Sequence, residues 1–98
     1  MGVNYHKMMK QMEKMQEDLA EKRITATSGG GAISVTVNGS NEVIEVKIDK
    51  DAVDIEDISM LEDMILTCIN EALRQAQEFA NSQLSKVTGG MSIPGLKL

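Results

Sequence analysis

Apolar residues divide the chain into three sections, each with its own spacing. In the first section, from about residue 4 to residue 22, they recur every three or four positions, as on one face of an α-helix. These residues are Tyr5, Met8, Met12, Met15 and Leu19. A middle section with a period of two predicts β-strands, and a second helical stripe fills most of the remainder. The chain is therefore expected to fold as helix, strands and helix.

The middle section predicts three short strands, at about residues 24–28, 32–38 and 42–48. Three glycines interrupt the pattern after Ser28, and Asn38-Gly39 is a strong hairpin signal because both residues tolerate positive φ. Apolar and polar residues alternate in the last two strands, which is typical of a sheet with one buried face. We therefore expect an antiparallel meander that needs a cover.

The second helix is predicted at about residues 60–87 and would supply that cover. Ser59, with Glu62 three residues later, has the pattern of a capping box. The apolar stripe of this helix is wider than one small sheet requires. It contains Leu61, Ile65, Cys68, Ala72, Ala76 and Phe79, with Ile69, Leu73, Ala80 and Leu84 beside it. Gly89-Gly90 is expected to end the helix before a tail at residues 89–98.

The fold class that follows is α+β, with one domain over residues 1–98. Its order is α-β-β-β-α, with the three-stranded meander between two long helices. A domain of 98 residues buries only about 65% of the surface that its unfolded chain exposes. The chain has eight methionines, and methionine suits flexible contact surfaces. We therefore expect a homodimer whose interface includes Met8, Met12, Met15, Leu19, Phe79 and Leu84.

Signals for catalysis, metal binding or membrane insertion are weak. His6 and Cys68 lie far apart in the chain and suggest no nucleophile–base pair, and Cys68 is expected to be buried. The acidic residues between 49 and 57 lack the spacing of a calcium-binding loop. No run of 18 apolar residues predicts a membrane span, and no secretory signal is apparent. We expect a cytoplasmic protein that is not an enzyme, without catalytic residues, metal ligands, cofactor, small-molecule substrate or membrane partner.

The distribution of charge is more informative than the total. Ten basic and fifteen acidic residues give a net charge of −5, which by itself argues against a nucleic-acid partner. Residues 1–31 carry five basic and four acidic groups (+1), residues 32–58 two and seven (−5), and residues 59–98 three and four (−1). The middle segment therefore accounts for the whole excess. On the first helix, Lys7, Lys10 and Lys14 lie away from the methionine stripe. Such a stripe is either a solvated face or a cationic ridge.

An ordered set of short motifs resembles the YbaB/EbfC family of nucleoid-associated proteins. The motifs cover nearly the whole chain, and the final one is the most distinctive. They are MKQMEKMQE at residues 9–17, GGG at 29–31, VTVNG at 35–39, EVKID at 45–49, LEDMI at 61–65 and TGGMSIPG at 88–95. The resemblance implies a homodimer with protruding helical arms. It also implies binding of double-stranded DNA with little sequence preference, and a role in nucleoid organisation or gene expression.

The strands depart from the family where basic residues often stand. Ser34 replaces a common lysine, and Ile44-Glu45 replaces a more basic stretch. Electrostatics therefore favours the helical arms for contacts to the DNA backbone. The candidate DNA-binding residues are Lys7, Lys10, Lys14, Lys22, Arg23 and Lys86. The alternative function is a protein–protein interaction module that uses the Met-rich helical surface and does not bind DNA directly.

Overall fold

A computed structural model describes residues 5–87 of the chain. Two helices enclose three strands in the sequence, and both the α+β class and the predicted order are confirmed. The elements are α1 (Tyr5–Glu21), β1 (Ile24–Ser28), β2 (Ile33–Val37), β3 (Val43–Ile48) and α2 (Ile58–Val87). The predicted tail at residues 89–98, the helix end expected at Gly89-Gly90 and the whole motif at residues 88–95 lie outside the described residues.

The three strands form one antiparallel sheet in the order β1-β2-β3, as the meander requires. In the pairing of β1 with β2, Ala26 lies opposite Val35. In the pairing of β2 with β3, Val35 lies opposite Val46, and a bulge interrupts the ladder after Thr36. Residues opposite one another point to the same face. One face is consequently apolar across all three strands.

Both hairpin connections form, but the positive φ angles are not where the Asn38-Gly39 motif predicts them. Gly29, Gly30 and Gly31 all have positive φ, and the amide of Gly31 donates to the carbonyl of Ser28. The second connection closes with a hydrogen bond from the amide of Asn38 to the carbonyl of Glu42. Its positive φ, 65°, belongs to Asn41. A three-residue loop that ends in a left-handed residue, as here, is a common hairpin type.

The core lies between α2 and the first two strands. Ile33, Val35 and Val37 of β2 are fully buried, together with Cys68 and Ala72 of α2. The buried state predicted for Cys68 is therefore confirmed. Its thiol donates to the backbone carbonyl of Ala26 at 3.1 Å, which ties the helix to the edge strand β1. Small side chains on α2 allow the helix to lie close to the sheet.

The sheet's apolar face is only partly covered. Helix α2 packs against β1 and β2, and it leaves β3 open. Val43, Val46 and Ile48 lie opposite buried residues of β2, yet each remains 43–45% exposed. The expectation that the second helix covers the meander is therefore correct for two strands and wrong for the third. A single helix is about 10 Å wide, whereas three strands span about that distance between their axes alone.

Helix α2 begins two residues earlier than predicted because its cap is a different residue. A side-chain oxygen of Asp57 accepts a hydrogen bond from the amide of Met60 at 3.1 Å, and its carbonyl accepts one from Leu61. Asp57 is thus the N-cap, and Ser59 lies inside the first turn. The capping box expected at Ser59 and Glu62 is wrong. Both residues fit the cap chemistry. Only the backbone path from the segment between β3 and α2, residues 49–57, selects between them; we call this segment the acidic connector.

The molecule is elongated because the two helices extend beyond the sheet. Its principal extents are 67 × 27 × 16 Å, and its radius of gyration is 18.3 Å. A compact domain of this length would have a radius of gyration of about 13 Å. The last α2 side chain among the described residues that packs against the core is Phe79. Among residues 5–87, neither helix combines the length and the apolar character that membrane crossing requires.

Candidate nucleic-acid interface

The part of the molecule that projects from the sheet consists of α1 and the end of α2. We call it the arm, and it comprises residues 5–23 and 79–87. Its base is fixed where α1 ends: the amide of Gly39 donates to the carbonyl of Leu19 at 2.7 Å. Lys22 and Phe79 lie together beside this junction. Farther out, the contact between the two helices is limited.

Three lysines follow one another along the outer side of the arm. Lys7, Lys10 and Lys14 are all exposed, and together with His6 and Gln11 they line one shallow surface. Their spacing of three and four residues places them on one side of α1. The ion pair from Lys14 to Asp18 is 3.8 Å long between side chains that are 78% and 49% exposed. A pair this open to water holds Lys14 only weakly.

Lys86 reaches the same region from the other helix. A groove between α1 and the end of α2 brings Lys86 and Lys14 to a common surface, although they are 72 positions apart in the sequence. The groove is lined by Gln11, Lys14, Met15, Asp18, Gln83 and Lys86. Four of the six candidate DNA-binding residues, Lys7, Lys10, Lys14 and Lys86, therefore lie on the outer part of the arm.

The other two candidates, Lys22 and Arg23, lie at the base of the arm and make local contacts. The ammonium group of Lys22 lies 4.8 Å from the centre of the Phe79 ring, within the range of a cation–π contact. The guanidinium of Arg23 donates to the carbonyls of Ala20 at 2.9 Å and Lys22 at 3.2 Å. These carbonyls belong to the end of α1, where cations are favoured. Both residues thus support the junction between α1 and the sheet.

Arg74 is the remaining described cation of α2, and acidic neighbours neutralise it. Its guanidinium donates to Glu71 at 2.6 and 3.0 Å and to Glu78 at 2.8 Å. The hydrogen bond from Arg74, supported by one from Gln75, lowers the pKa of Glu71 to about 2. The same contacts raise the pKa of Arg74 above its ordinary value. Arg74 therefore adds no free positive charge beside the arm.

The polar face of the sheet carries no excess of positive charge. Ser34 lies opposite Lys47, and Thr36 lies opposite Glu45. Lys47 and Glu45 form an exposed ion pair at 3.8 Å. Ser34 and Glu45, two of the three strand residues at which the sequence is expected to depart from the family, are on this face. A phosphate approaching the sheet would meet balanced charges. One approaching the surface lined by His6, Lys7, Lys10, Gln11 and Lys14 would meet three lysines and no carboxylate, although Lys10 and Lys14 also border a neighbouring surface with Glu13 and Glu17.

The residues proposed for the dimer interface do not form one buried patch within the chain. Met8 and Met12 are 47% and 49% exposed, and Leu84 is 52% exposed. Met15 and Leu19 are half-buried along the inner part of α1. Phe79 is half-buried, with Lys22 over its ring. The outer methionine stripe is therefore available to a partner.

A second exposed apolar surface lies on the sheet and on α2, and the sequence indicated only its α2 part. Arg74 and Glu78 line a hollow together with Ile24 of β1, so the flank of α2 that carries them faces β1. The opposite flank of α2 therefore faces the β3 side of the sheet. That flank carries Leu66, which is 58% exposed, and the half-buried Ile69 and Leu73. We call this surface the uncovered face; its members are Val43, Val46, Ile48, Leu66, Ile69 and Leu73. The excess width of the α2 stripe was its only signal in the sequence.

The acidic connector is used for turns. A side-chain oxygen of Asp49 accepts from the amide of Asp51, and a side-chain oxygen of Asp54 accepts from the amide of Glu56, each at 3.0 Å. Such contacts are Asx turns. Within residues 5–87, no three His, Cys, Asp or Glu side chains are grouped so that they could hold a metal ion.

Comparison with known proteins gives one consistent family. A family model described as the YbaB/EbfC DNA-binding family matches residues 1–91. A nucleoid-associated protein of Pelotomaculum thermopropionicum is 45% identical over 98% of both chains. Another, from Clostridium acetobutylicum, is 50% identical over 92% of this chain and 80% of its own. The crystal structure of an uncharacterized Helicobacter pylori protein has a TM-score of 0.78 at 24% identity, and covers 87% of this chain and 89% of its own. This last similarity concerns the fold alone.

Proposed function

Because the chain belongs to the YbaB/EbfC DNA-binding family, we propose that it is a nucleoid-associated protein that binds double-stranded DNA through its arm. The observation that carries the proposal is the position of Lys7, Lys10, Lys14 and Lys86 on the outer arm, away from the acidic connector. Contacts from lysine to phosphate give affinity without reading the base sequence. This activity involves no catalytic step.

The acidic connector would orient the protein on DNA. It follows β3 and ends at Asp57, the N-cap of α2, whereas Lys86 lies in the last turn of the same helix. A helix of 30 residues is about 45 Å long, several times the screening length in physiological salt. Repulsion at one end and attraction at the other would therefore act independently and favour approach by the arm.

A salt titration tests this proposal. If two copies of Lys7, Lys10 and Lys14 contact DNA, about six phosphates are engaged, and affinity should fall on the order of 10³-fold between 50 and 200 mM salt. A gel shift with duplexes of unrelated sequence measures the effect. Affinity that does not change over this range, or no binding at low salt, would contradict the proposal.

A charge-matched pair of variants identifies the surface. Lys7→Gln with Lys10→Gln removes two charges from the arm, and Lys47→Gln with Lys50→Gln removes two from the sheet and connector. We expect the first pair to lower DNA affinity on the order of tenfold per subunit and the second to change it little. Equal losses would show that only net charge matters. If the alternative is correct and the protein is a protein–protein interaction module, the wild type and both variant pairs should all fail to bind DNA.

We further propose that the protein acts as a homodimer. The uncovered face is an apolar surface on the sheet and α2, and the exposed Met8 and Met12 extend apolar contacts along the arm. A second copy has the same surface and can cover it symmetrically. The proposed interface comprises the uncovered face together with Met8, Met12, Met15, Leu19, Phe79 and Leu84. Two arms on one particle would double the number of phosphate contacts.

Light scattering of a matched pair of variants tests this interface. Val46→Glu places a charge on the uncovered face, whereas Lys47→Gln makes the same change in net charge on the opposite face of the same strand. We expect Val46→Glu to be a monomer at micromolar concentration and Lys47→Gln to remain a dimer. A wild-type monomer, or a dimeric Val46→Glu variant, would argue against this surface.

A further inference from the structure

We propose that the groove between α1 and the end of α2 is a phosphate-binding site in which Lys14 and Lys86 hold one backbone phosphate of DNA from opposite sides. The inference rests on the proposed function and narrows it to a single site. It makes these two lysines a pair, in contrast to the other cations of the arm. It also means that DNA contacts both helices of the arm at once.

The proposed phosphate site is supported first by the fact that its two lysines belong to different helices. Lys14 comes from the middle of α1 and Lys86 from the last turn of α2, and both line the same groove. Lysines on one helix, such as Lys7 and Lys10, lie side by side along that helix and cannot approach a phosphate from opposite sides. Lysines on facing helices instead border a concave surface. A phosphate in that concavity can accept hydrogen bonds from both ammonium groups.

The charge balance of the groove also favours an anion. Its lining has two positive groups and one negative group, Asp18, which is 3.8 Å from the ammonium of Lys14. The two ammonium groups repel each other, and a phosphate bound between them would add two attractions that outweigh this repulsion. Because Asp18 pairs only loosely with Lys14 in an exposed position, a phosphate can compete with it.

Neutral donors complete the site. Gln11 of α1 and Gln83 of α2 line the groove beside the lysines, one from each helix. Each side-chain amide has two N–H donors that suit phosphate or sugar oxygens. Lys22 and Arg23, by contrast, are engaged with Phe79 and with backbone carbonyls. The groove is therefore the place in the described arm where charged and neutral donors from both helices meet.

A double-mutant cycle tests whether the two lysines share one phosphate. The variants are Lys14→Gln, Lys86→Gln and both together, with affinity for a duplex measured by fluorescence anisotropy at several salt concentrations. We expect each single variant to lose on the order of tenfold in affinity. The double variant should lose about as much as either single variant, instead of about a hundredfold.

The salt dependence provides an independent result from the same experiment. If one phosphate is shared, the slope of log affinity against log salt should fall by about 0.9 per subunit in the double variant. Additive losses, with a fall of about 1.8, would show two separate contacts and overturn the shared site while leaving the proposed function intact. Wild-type protein without salt-dependent binding would overturn both.

Asp18 offers a variant that gains function, which a damaged fold would not produce. Asp18→Asn removes the anion that competes inside the groove, and Glu13→Gln removes one negative charge from the same helix outside it. We expect Asp18→Asn to increase DNA affinity several-fold more than Glu13→Gln does. In the Lys14→Gln background this difference should shrink markedly. Equal gains from both variants would mean that the groove has no special role.

Discussion

At the scale of single residues, Gly39 shows how closely the arm is joined to the sheet. Its amide donates to the carbonyl of Leu19 at 2.7 Å. A Cβ atom placed on Gly39 would lie 2.8 Å from that same oxygen and 3.0 Å from the Cα of Leu19. These neighbours are backbone atoms and cannot rotate away. The glycine is therefore required by the close approach of α1, while Asn41 provides the positive φ of the turn.

Gly39→Ala should therefore destabilise the fold. The added methyl group must push the end of α1 away from the hairpin, which costs about 1–3 kcal/mol of unfolding free energy. Urea denaturation followed by circular dichroism measures the change. Ser40→Ala is the control, since Ser40 is exposed in the same loop and its contact to Asn38 uses only its backbone amide. Equal stability of the two variants would show that the junction can relax.

Cys68 is a second residue whose role follows from its surroundings. Its side chain is fully buried, and its thiol donates to the carbonyl of Ala26. We expect the native protein to react with a thiol reagent such as Ellman's reagent only at the rate of local opening, and the denatured protein to react at once. Rapid reaction of one thiol per chain under native conditions would contradict the packing of α2 on the sheet.

At the scale of elements, α2 determines most of the architecture, and its N-cap decides where it starts. Asp57→Ala removes the side-chain acceptor for the amide of Met60, so we expect a loss of about 1 kcal/mol in the free energy of unfolding. Ser59→Ala is the matched control and should cost much less, because Ser59 lies within the first turn. Thermal denaturation of both variants measures the difference. The opposite ranking would restore Ser59 as the cap.

The ion-pair cluster on α2 gives a pH dependence with a defined sign. The contact with Arg74 lowers the pKa of Glu71 from its ordinary value of 4.5 to about 2 in the folded protein. Stability from this carboxylate is therefore present above pH 4.5 and lost as the pH falls towards 2. We expect the stability difference between wild type and Glu71→Gln to be largest near neutral pH, to shrink as the pH falls from 4.5 towards 2, and to vanish only below pH 2. A difference that grows in acid would contradict the pairing.

At the scale of the whole molecule, the separation of functions follows from its elongated shape. The arm carries the outer lysines, the sheet and α2 carry the uncovered face, and the acidic connector leads into α2 far from Lys86. Binding of DNA and self-association would thus use different surfaces of one chain except along the arm, where Met15 lines the groove and also belongs to the proposed dimer interface. A dimer could place two arms on the same duplex, so dimerisation would act on affinity through the number of contacts.

Disruption of the dimer should therefore change how DNA binding depends on salt. If Val46→Glu produces a monomer with one intact arm, the slope of log affinity against log salt should fall to about half of the wild-type value. Binding should also weaken much more than twofold, since the second arm no longer adds an intramolecular contact. A monomeric variant with an unchanged slope would mean that one arm provides all the phosphate contacts.

Local patterns in the sequence were sufficient for the order of elements and for most of their bounds. A period of 3.6 or of two depends on the side chains of each segment, and so does the burial of Cys68 within its apolar stripe. The presence of lysines on one side of α1 follows from spacing in the same way. These features need no knowledge of distant contacts. The family motifs added what periodicity cannot supply, namely the expected partner.

Tertiary structure decided everything that depends on which segments meet. It selected Asp57 over Ser59 as the cap, gave Gly39 its contact with Leu19, and left β3 uncovered because one helix cannot span three strands. It also brought Lys14 and Lys86 to one groove. Residues far apart in the chain are brought together only when the elements pack, and no local sequence pattern indicates which of them will meet.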